Sequence, residues 1–286
     1  MEINVNSMGF QQEDNMRRTL LVGEIGINHN GELKIVKQLI DAASFIGLDC
    51  VKFQKRTIDL VYTEEELNSY RESPWGITFR HQKEGLEFGK IEYDEIDRYC
   101  RQKGIEWFAS PWDNESVEFL MNYNCPYTKI PSPLITNFDL LKAVKQTRRP
   151  VIISTGMSTL QEVRSAVDYL HDQIKYILAC TSTYPTPLEE VNLSFVGTLK
   201  RDFPEYRVGY SSHSPGILFP AVSIAYGAQM VEFHITLDRA MGGSDQAASI
   251  EVGAVMKLVK YVRHLEIALG SGYWQVFPGE LKIKER

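Results

Sequence analysis

The stretch PVIISTGMSTLQEVRSAVDYLHDQIKYILACT (150–181) decides the fold. PVIIST (150–155) is a short apolar run, read as a strand. STLQEVRSAVDYLH (158–171) is a helix opened by a Ser-x-x-Gln capping box, and IKYILACT (174–181) is the next strand. The same alternation extends in both directions. Upstream lie strands LLVGEIGI (20–27), DCVKFQ (49–54), IEWFAS (105–110) and YTKI (127–130). Helices 33–46, 91–104, 113–124 and 137–147 separate or follow them, with Gly47 and Gly104 as expected C-caps and Asp113 as an N-cap. Downstream follow a weaker helix over 192–202, strand 206–213, helix 216–228, strand 229–236 and a long amphipathic helix over 251–268. The strands are continuously apolar, as in parallel sheets covered on both faces. Roughly eight units at ~30-residue spacing predict a (β/α)8 TIM barrel. A doubly wound sheet is the alternative, but EIGINHNG (24–31) lacks its glycine-rich phosphate turn. The expected organisation is a polar tail over 1–18, a barrel over 19–270 and a C-terminal tail over 271–286. Segment 55–90 exceeds a routine connection and is read as a loop with one or two helical turns, serving as a lid over the mouth.

Composition narrows the function classes. The chain of 286 residues has 31 Lys+Arg against 37 Asp+Glu, a net charge of −6 that argues against nucleic-acid binding. Mean hydropathy is −0.24 and no apolar run is long enough to span a bilayer. The polar N-terminus lacks the apolar core of a secretory signal, and Cys50, Cys100, Cys125 and Cys180 form no CxxC. A cytoplasmic location with structural thiols is the expectation.

A barrel places function at the C-terminal strand ends. Those ends carry Glu24 and Asn28, Lys52 and Gln54, Ser110, Lys129 and Ser132, Ser154 and Thr155, Thr181 and Ser182, Ser211 and His213, and Glu232 and His234. Convergence of these groups would build a pocket for an anion and a divalent metal. His213 and His234 close neighbouring strands and are the metal candidates, against the alternative of two histidines packed under loops. Glu24 is placed to coordinate or act as a base. Lys52 and Lys129 sit in apolar strands, where an ammonium is costly unless it meets an anion or snorkels to water. His29, among Asn28, Asn30 and Gly31, either shapes its turn or touches substrate.

Eight motifs in order then resemble a known family: EIGINHNG (24–31), VKFQ (51–54), ASPWD (109–113), KIPS (129–132), STGMST (154–159), TSTYPTP (181–187), GYSSHSPG (209–216) and EFHITLDRAMGGSDQAAS (232–249). Together they resemble the sialic acid (N-acetylneuraminate) synthases, over about residues 20–270. The resemblance implies a transferase that condenses phosphoenolpyruvate with an aldose such as N-acetylmannosamine, giving a nonulosonic acid and phosphate. It implies a divalent metal on His213 and His234, manganese first and magnesium or cobalt as alternatives, polarising the sugar aldehyde. It puts Glu24 and Gln54 near the reacting carbons. Lys52, Ser110, Lys129, Ser132, Ser154, Ser182 and Ser211 match the phosphoenolpyruvate pocket, and Tyr184 and Asp245 match positions facing the sugar. A homodimer is the expected assembly.

Several positions depart from the family pattern. Leu134 replaces a glutamate, Ser212 an aspartate, Phe233 a lysine and Gln246 a histidine, while Trp112 stands in an altered ASPW stretch. All are expected on the sugar side or beside the metal. The family's C-terminal antifreeze-like domain is expected to be absent. These departures keep two other readings open: a synthase for another 3-deoxy-ulosonic acid, resembling the octulosonate phosphate enzymes, and a non-catalytic sugar- or phosphate-binding barrel.

Overall fold

The computed structural model describes residues 18–285, so the expected N-terminal tail lies almost entirely outside the described residues. Eight strands form a ring: β1 (Leu20–Glu24), β2 (Cys50–Lys55), β3 (Glu106–Pro111), β4 (Thr128–Ile130), β5 (Val151–Ser154), β6 (Ile174–Cys180), β7 (Arg207–Ser212) and β8 (Met230–Thr236). Each pairs in parallel with the next, and β8 returns to β1 with His234 opposite Glu24. That closure makes the molecule a (β/α)8 barrel and removes the open-sheet alternative. The principal helices are α1 (Leu33–Ile46), α2 (Lys90–Lys103), α3 (Asn114–Leu120), α4 (Phe138–Thr147), α5 (Leu160–Leu170), α6 (Ser194–Asp202), α7 (Leu218–Val222) and α8 (Val252–Ala268).

Local chemistry explains the element ends. Gly47 and Gly104 stop α1 and α2 in the left-handed region, at φ 87° and 67°. Asp113 caps α3 by accepting the Ser116 N–H at 2.8 Å. The capping box of α5 lies one residue beyond the expected Ser158 and Gln161. Thr159 and Glu162 form it instead, and Ser158 donates its hydroxyl to the Gly156 carbonyl. The β5 strand is wholly buried, and α5 turns Val163, Ala166, Val167 and Leu170 toward the ring. Truncating one such buried leucine to alanine costs ~2–5 kcal/mol.

Two regions differ from expectation. Segment 55–90 is more ordered than a loop with helical turns. It carries short helices Ile58–Val61 and Glu64–Asn68, an antiparallel hairpin of Tyr70–Ser73 with Gly76–Thr78, and helix Phe79–Leu86. The tail beyond residue 270 contains an exposed helix, Pro278–Lys284. The insertion is anchored to the barrel at its base. Lys55 donates to Glu87 at 2.5 Å and to the Phe88 carbonyl at 3.0 Å. Beside it, Phe53, Tyr93, Trp107, Phe119 and Tyr123 form an aromatic cluster with centroid spacings of 5.2–6.3 Å. Tyr93 donates its hydroxyl to the Gln54 carbonyl at 2.8 Å, so this cluster also steadies the C-terminal end of β2.

Candidate active site at the mouth of the barrel

Every barrel strand sends a side chain into one cavity of about 500 Å3 at the C-terminal mouth. The expected residues Glu24, Lys52, Gln54, Ser110, Lys129, Ser132, Ser154, Ser182, Tyr184, Ser211, His213, His234 and Asp245 all line it. The alternation of a strand puts residues two apart on one face. Lys52 and Gln54, Ser211 and His213, and Glu232 and His234 therefore enter the cavity as pairs.

The floor is a chain of buried charges. Lys52 Nζ lies 3.0 Å from Glu24 Oε2 and 3.6 Å from Glu232 Oε1. It also donates to Ser110 Oγ at 3.3 Å. Lys129 Nζ donates to both Glu232 oxygens at 3.1 and 3.3 Å, and Ser211 Oγ donates to Oε1 at 3.2 Å. Gln54 Nε2 donates to Glu24 Oε1 at 2.7 Å, and Arg56 donates to Gln54 Oε1 at 2.5 Å. Burial works against the Lys52 ammonium, but Glu232 and Glu24 outweigh it and hold its pKa above the ordinary lysine value. Burial wins at Lys129, whose pKa falls below that value despite Glu232. Burial also opposes ionisation of Glu232, yet Lys129 and Lys52 keep it a carboxylate. Two ammoniums thus meet two carboxylates with almost no water, a preorganised arrangement in which a small anion can exchange partners.

The serines sit above this floor. Ser132 Oγ accepts the Gly156 N–H at 3.1 Å, and a Cβ at Gly156 would stand 2.8 Å from that oxygen and 2.2 Å from Ser182 Oγ. Only glycine leaves this cradle open. Ser154 Oγ is buried without a hydrogen-bond partner, although it faces the cavity. An orphaned hydroxyl of this kind costs free energy unless a ligand completes it.

The imidazoles occupy the opposite side, with centroids 5.6 Å apart. His213 Nδ1 lies 2.7 Å from the Thr181 carbonyl, which can only accept, so the proton is on Nδ1 and the Nε2 lone pair faces the cavity. The Tyr184 hydroxyl donates to that Nε2 at 2.5 Å, from a ring stacked 3.9 Å over the imidazole. His234 Nδ1 is buried without a hydrogen bond, 3.6 Å from Asp245 Oδ2. Burial lowers the His234 pKa and keeps a lone pair available. Among the described residues no three His, Cys, Asp or Glu groups close into a metal-ligating cluster. The orphaned His234 Nδ1 fits a divalent ion, and the His213 Nε2 lone pair fits the same ion only once the Tyr184 hydroxyl turns away from it, leaving the other positions open.

Two residues beside the mouth take structural parts, for His29 one of its two expected readings. His29 shapes its turn: it stacks on Phe88 at 4.1 Å and accepts the Gly31 N–H at 3.0 Å. Asn28 ties β1 to the end of β8 through the Ile235 carbonyl at 2.9 Å. The departures from the family pattern mostly miss the cavity. Leu134 packs against the core, Phe233 and Ser212 are buried outside the pocket lining, and Gln246 donates to the Asn28 carbonyl at 3.2 Å as an internal strut. Trp112 alone among them lines the mouth.

Arg56, Cys180 and Glu232 also line it, and were given no role or, for Cys180, a structural one. Burial raises the thiols of Cys50, Cys100 and Cys125. Burial opposes ionisation of Cys180 too, but His213, Ser132 and Lys129 bring it down to about 7. The signal that finds all three is the two-residue period. Arg56 follows Lys52 and Gln54, Cys180 precedes Ser182, and Glu232 precedes His234.

Comparison with known proteins agrees with this geometry. A model of the NeuB family matches residues 39–273. The chain is 38% identical over 271 residues to human N-acetylneuraminate-9-phosphate synthase, covering 93% of this chain and 75% of that protein. It is 35% identical over 286 residues to N,N'-diacetyllegionaminic acid synthase of Legionella pneumophila, covering 96% and 80%. Among solved structures, an N-acetylneuraminic acid (sialic acid) synthetase from Leptospira borgpetersenii superposes with a TM-score of 0.83 at 29% identity, covering 94% of this chain and 90% of that one.

Proposed function

Since this chain belongs to the NeuB family, we propose that it is a synthase joining phosphoenolpyruvate to the open-chain aldehyde of an N-acyl amino sugar. The product is a nine-carbon 2-keto acid of the nonulosonic type, with inorganic phosphate released. The observation that carries this reading is the joining of two buried lysines, the serine cradle and two cavity-facing imidazoles in one mouth.

The electron pair of the phosphoenolpyruvate double bond forms the new C–C bond at the aldehyde carbon, and the aldehyde oxygen takes up a proton. Water adds to the former enol carbon. The bond from that carbon to the phosphate oxygen then breaks, phosphate leaves with the electron pair, and the new hydroxyl becomes the keto group. Lys52 and Lys129 bind the carboxylate and phosphate of the incoming anion, drawing on ammoniums held 3.0–3.3 Å from Glu24 and Glu232. Ser110, Ser132, Ser154, Ser182 and Ser211 add hydroxyls around it. Glu24, oriented by Gln54 at 2.7 Å, takes the proton from the attacking water. Tyr184 and Asp245 face the sugar. His213 and His234 would hold a divalent ion, manganese or alternatively magnesium or cobalt. Bound there, such an ion supplies Lewis-acid polarisation of the aldehyde.

We assign this chemistry to a barrel over 19–270 working as a cytoplasmic homodimer. No helix among the described residues is long and apolar enough to cross a membrane, which is consistent with that assignment. The test is phosphate release from phosphoenolpyruvate with Mn2+ across a panel of aldoses. Release that depends on one amino sugar supports the synthase. Tight phosphoenolpyruvate binding with no release for any sugar supports a binding barrel instead. The relatives' names differ in whether the product bears a phosphate, so the panel includes phosphorylated and free sugars.

A further inference from the structure

Just past the end of β2, Arg56 is a buried cation that lines the catalytic cavity and has no part in the chemistry above. Lys52, Gln54 and Arg56 lie two apart, so all three face the cavity. On β3 the same holds for Ser110 and Trp112. The strands pair Gln54 with Ser110 and Lys55 with Pro111, so Arg56 and Trp112 come next, side by side. Three hydrogen bonds tie the two chains together at that point. The Trp112 N–H donates to the Lys55 carbonyl at 3.0 Å. Thr57 donates to Asp113 through its N–H at 2.7 Å and its hydroxyl at 3.0 Å. The indole therefore offers a fixed face, and the Arg56 guanidinium lies over it at 4.1 Å.

A guanidinium in this position would ordinarily take a carboxylate. Glu87 is close, but its Oε1 already accepts Lys55 Nζ at 2.5 Å and the Arg56 backbone N–H at 3.1 Å. The guanidinium instead donates to Gln54 Oε1 at 2.5 Å, and Gln54 Nε2 donates to Glu24 Oε1 at 2.7 Å. Each neighbour fixes one end of the amide. A guanidinium only donates and a carboxylate only accepts, so the amide can sit in one orientation. Gly26 closes over the second contact. Its φ is 52°, and a Cβ there would stand 3.0 Å from Glu24 Oε1 and 3.2 Å from Gln54 Nε2. The Tyr93 hydroxyl holds the Gln54 backbone carbonyl at 2.8 Å. Among the described residues Arg56 alone holds the amide oxygen.

We propose that Arg56 is a positioning residue: through Gln54 it fixes the Glu24 carboxylate in the orientation that meets the attacking water. This rests on the synthase reading above, in which Glu24 takes that proton. Without the guanidinium, the Gln54 amide loses the partner of its oxygen. Its terminal torsion has broad minima, so the amide would turn and Glu24 Oε1 would lose its donor for part of the time. A general base must stay within hydrogen-bond reach of the proton it takes, and a small misplacement costs a large factor in rate. Arg56 need touch neither substrate for this. Trp112, in the altered ASPW stretch, becomes the platform that keeps the guanidinium on Gln54.

The experiment is a double-mutant cycle on phosphate release with phosphoenolpyruvate and the best acceptor, for the wild type, Arg56→Met, Gln54→Ala and the pair. Arg56→Met keeps an aliphatic side chain on Trp112 while removing the donors. It should lower kcat ~10- to 100-fold and leave both KM values within ~2-fold. In the Gln54→Ala background the same change should cost less than ~2-fold, because the link to Glu24 is already gone. Should Arg56→Met fail to fold, Arg56→Lys runs the same cycle, with a smaller loss that vanishes in the same background. Losses that multiply in the pair would overturn the proposal, since a direct contact with the acceptor or a purely structural role predicts them. A raised acceptor KM with kcat unchanged would also overturn it, and would put the unpartnered Arg56 Nε on the sugar. Both results leave the synthase standing. No release by the wild type with any aldose would overturn both readings.

Discussion

At the floor of the mouth, Lys52 and Lys129 each face a buried carboxylate within 3.1 Å. At the rim, Arg71 and Lys83 share a cavity with Glu32 and Glu72 without closing into a tight ion pair. The floor comes from strand ends, whose backbone is fixed by parallel pairing on both sides. The rim comes from an insertion whose hairpin and helices are tied to the barrel through Lys55 with Glu87 and Phe88, and through Thr57 with Asp113. The difference teaches what burial demands of a charge. A deep site can bury charge only if it is nearly neutral before the ligand arrives, because an unpaired ion costs several kcal/mol there. A more exposed rim can leave its charges loosely paired, because water screens them.

The largest expected effect comes from breaking the floor. Lys129→Met leaves Glu232 shared with Lys52 alone and removes a phosphoenolpyruvate donor. Phosphate release should fall by ~100- to 1,000-fold, and urea unfolding should report a loss of ~3–5 kcal/mol. A variant with near-normal turnover would mean that the floor ammoniums are structural only. Next comes the cradle. Gly156→Ala pushes a methyl toward Ser132 and Ser182, so KM for phosphoenolpyruvate should rise ~10-fold, equivalent to ~1.4 kcal/mol, with the acceptor KM little changed.

The joint between floor and rim is the His29–Phe88 stack, and it carries a pH signature. Burial lowers the His29 pKa from 6.5 to about 3. Because the folded value is the lower one, the neutral ring favours the folded state. Its contribution is full above 6.5 and drains away as pH falls from 6.5 toward 3. Each pH unit in that window is worth up to ~1.4 kcal/mol. Urea titrations at several pH values should show this slope in the wild type and a shallower one in His29→Phe. Identical slopes would remove His29 from the account.

What was legible in the sequence follows the same division. The ring could be read because its signals are local: apolar runs for strands, Gly47 and Gly104 as stops, Asp113 as a cap. The floor could be read because strand ends are forced to converge, which brought Glu24, Lys52, Lys129, His213 and His234 into view together. Arg56 and Cys180 were missed where the two-residue period was not followed past the visible motif. Glu232 was noticed at a strand end but assigned nothing, since the pairing that gives it meaning joins β4 to β8 across the barrel. Leu134, Ser212 and Gln246 were expected near the sugar because they adjoin motif residues, but adjacency along a chain does not say which way a side chain faces. The hairpin of the insertion depends on contacts such as Trp75 against Gly85, where a Cβ would stand 2.2 Å from the indole, and no local pattern announces them.

The most direct test of the central claim follows the oxygen that bridges carbon and phosphorus in phosphoenolpyruvate. The enzyme, Mn2+ and the best acceptor are incubated with substrate carrying oxygen-18 at that position, and both products are analysed by mass spectrometry. The account predicts all of the label in inorganic phosphate and an unlabelled nine-carbon keto acid. Label retained in the keto acid, or in pyruvate formed without the sugar, would contradict it.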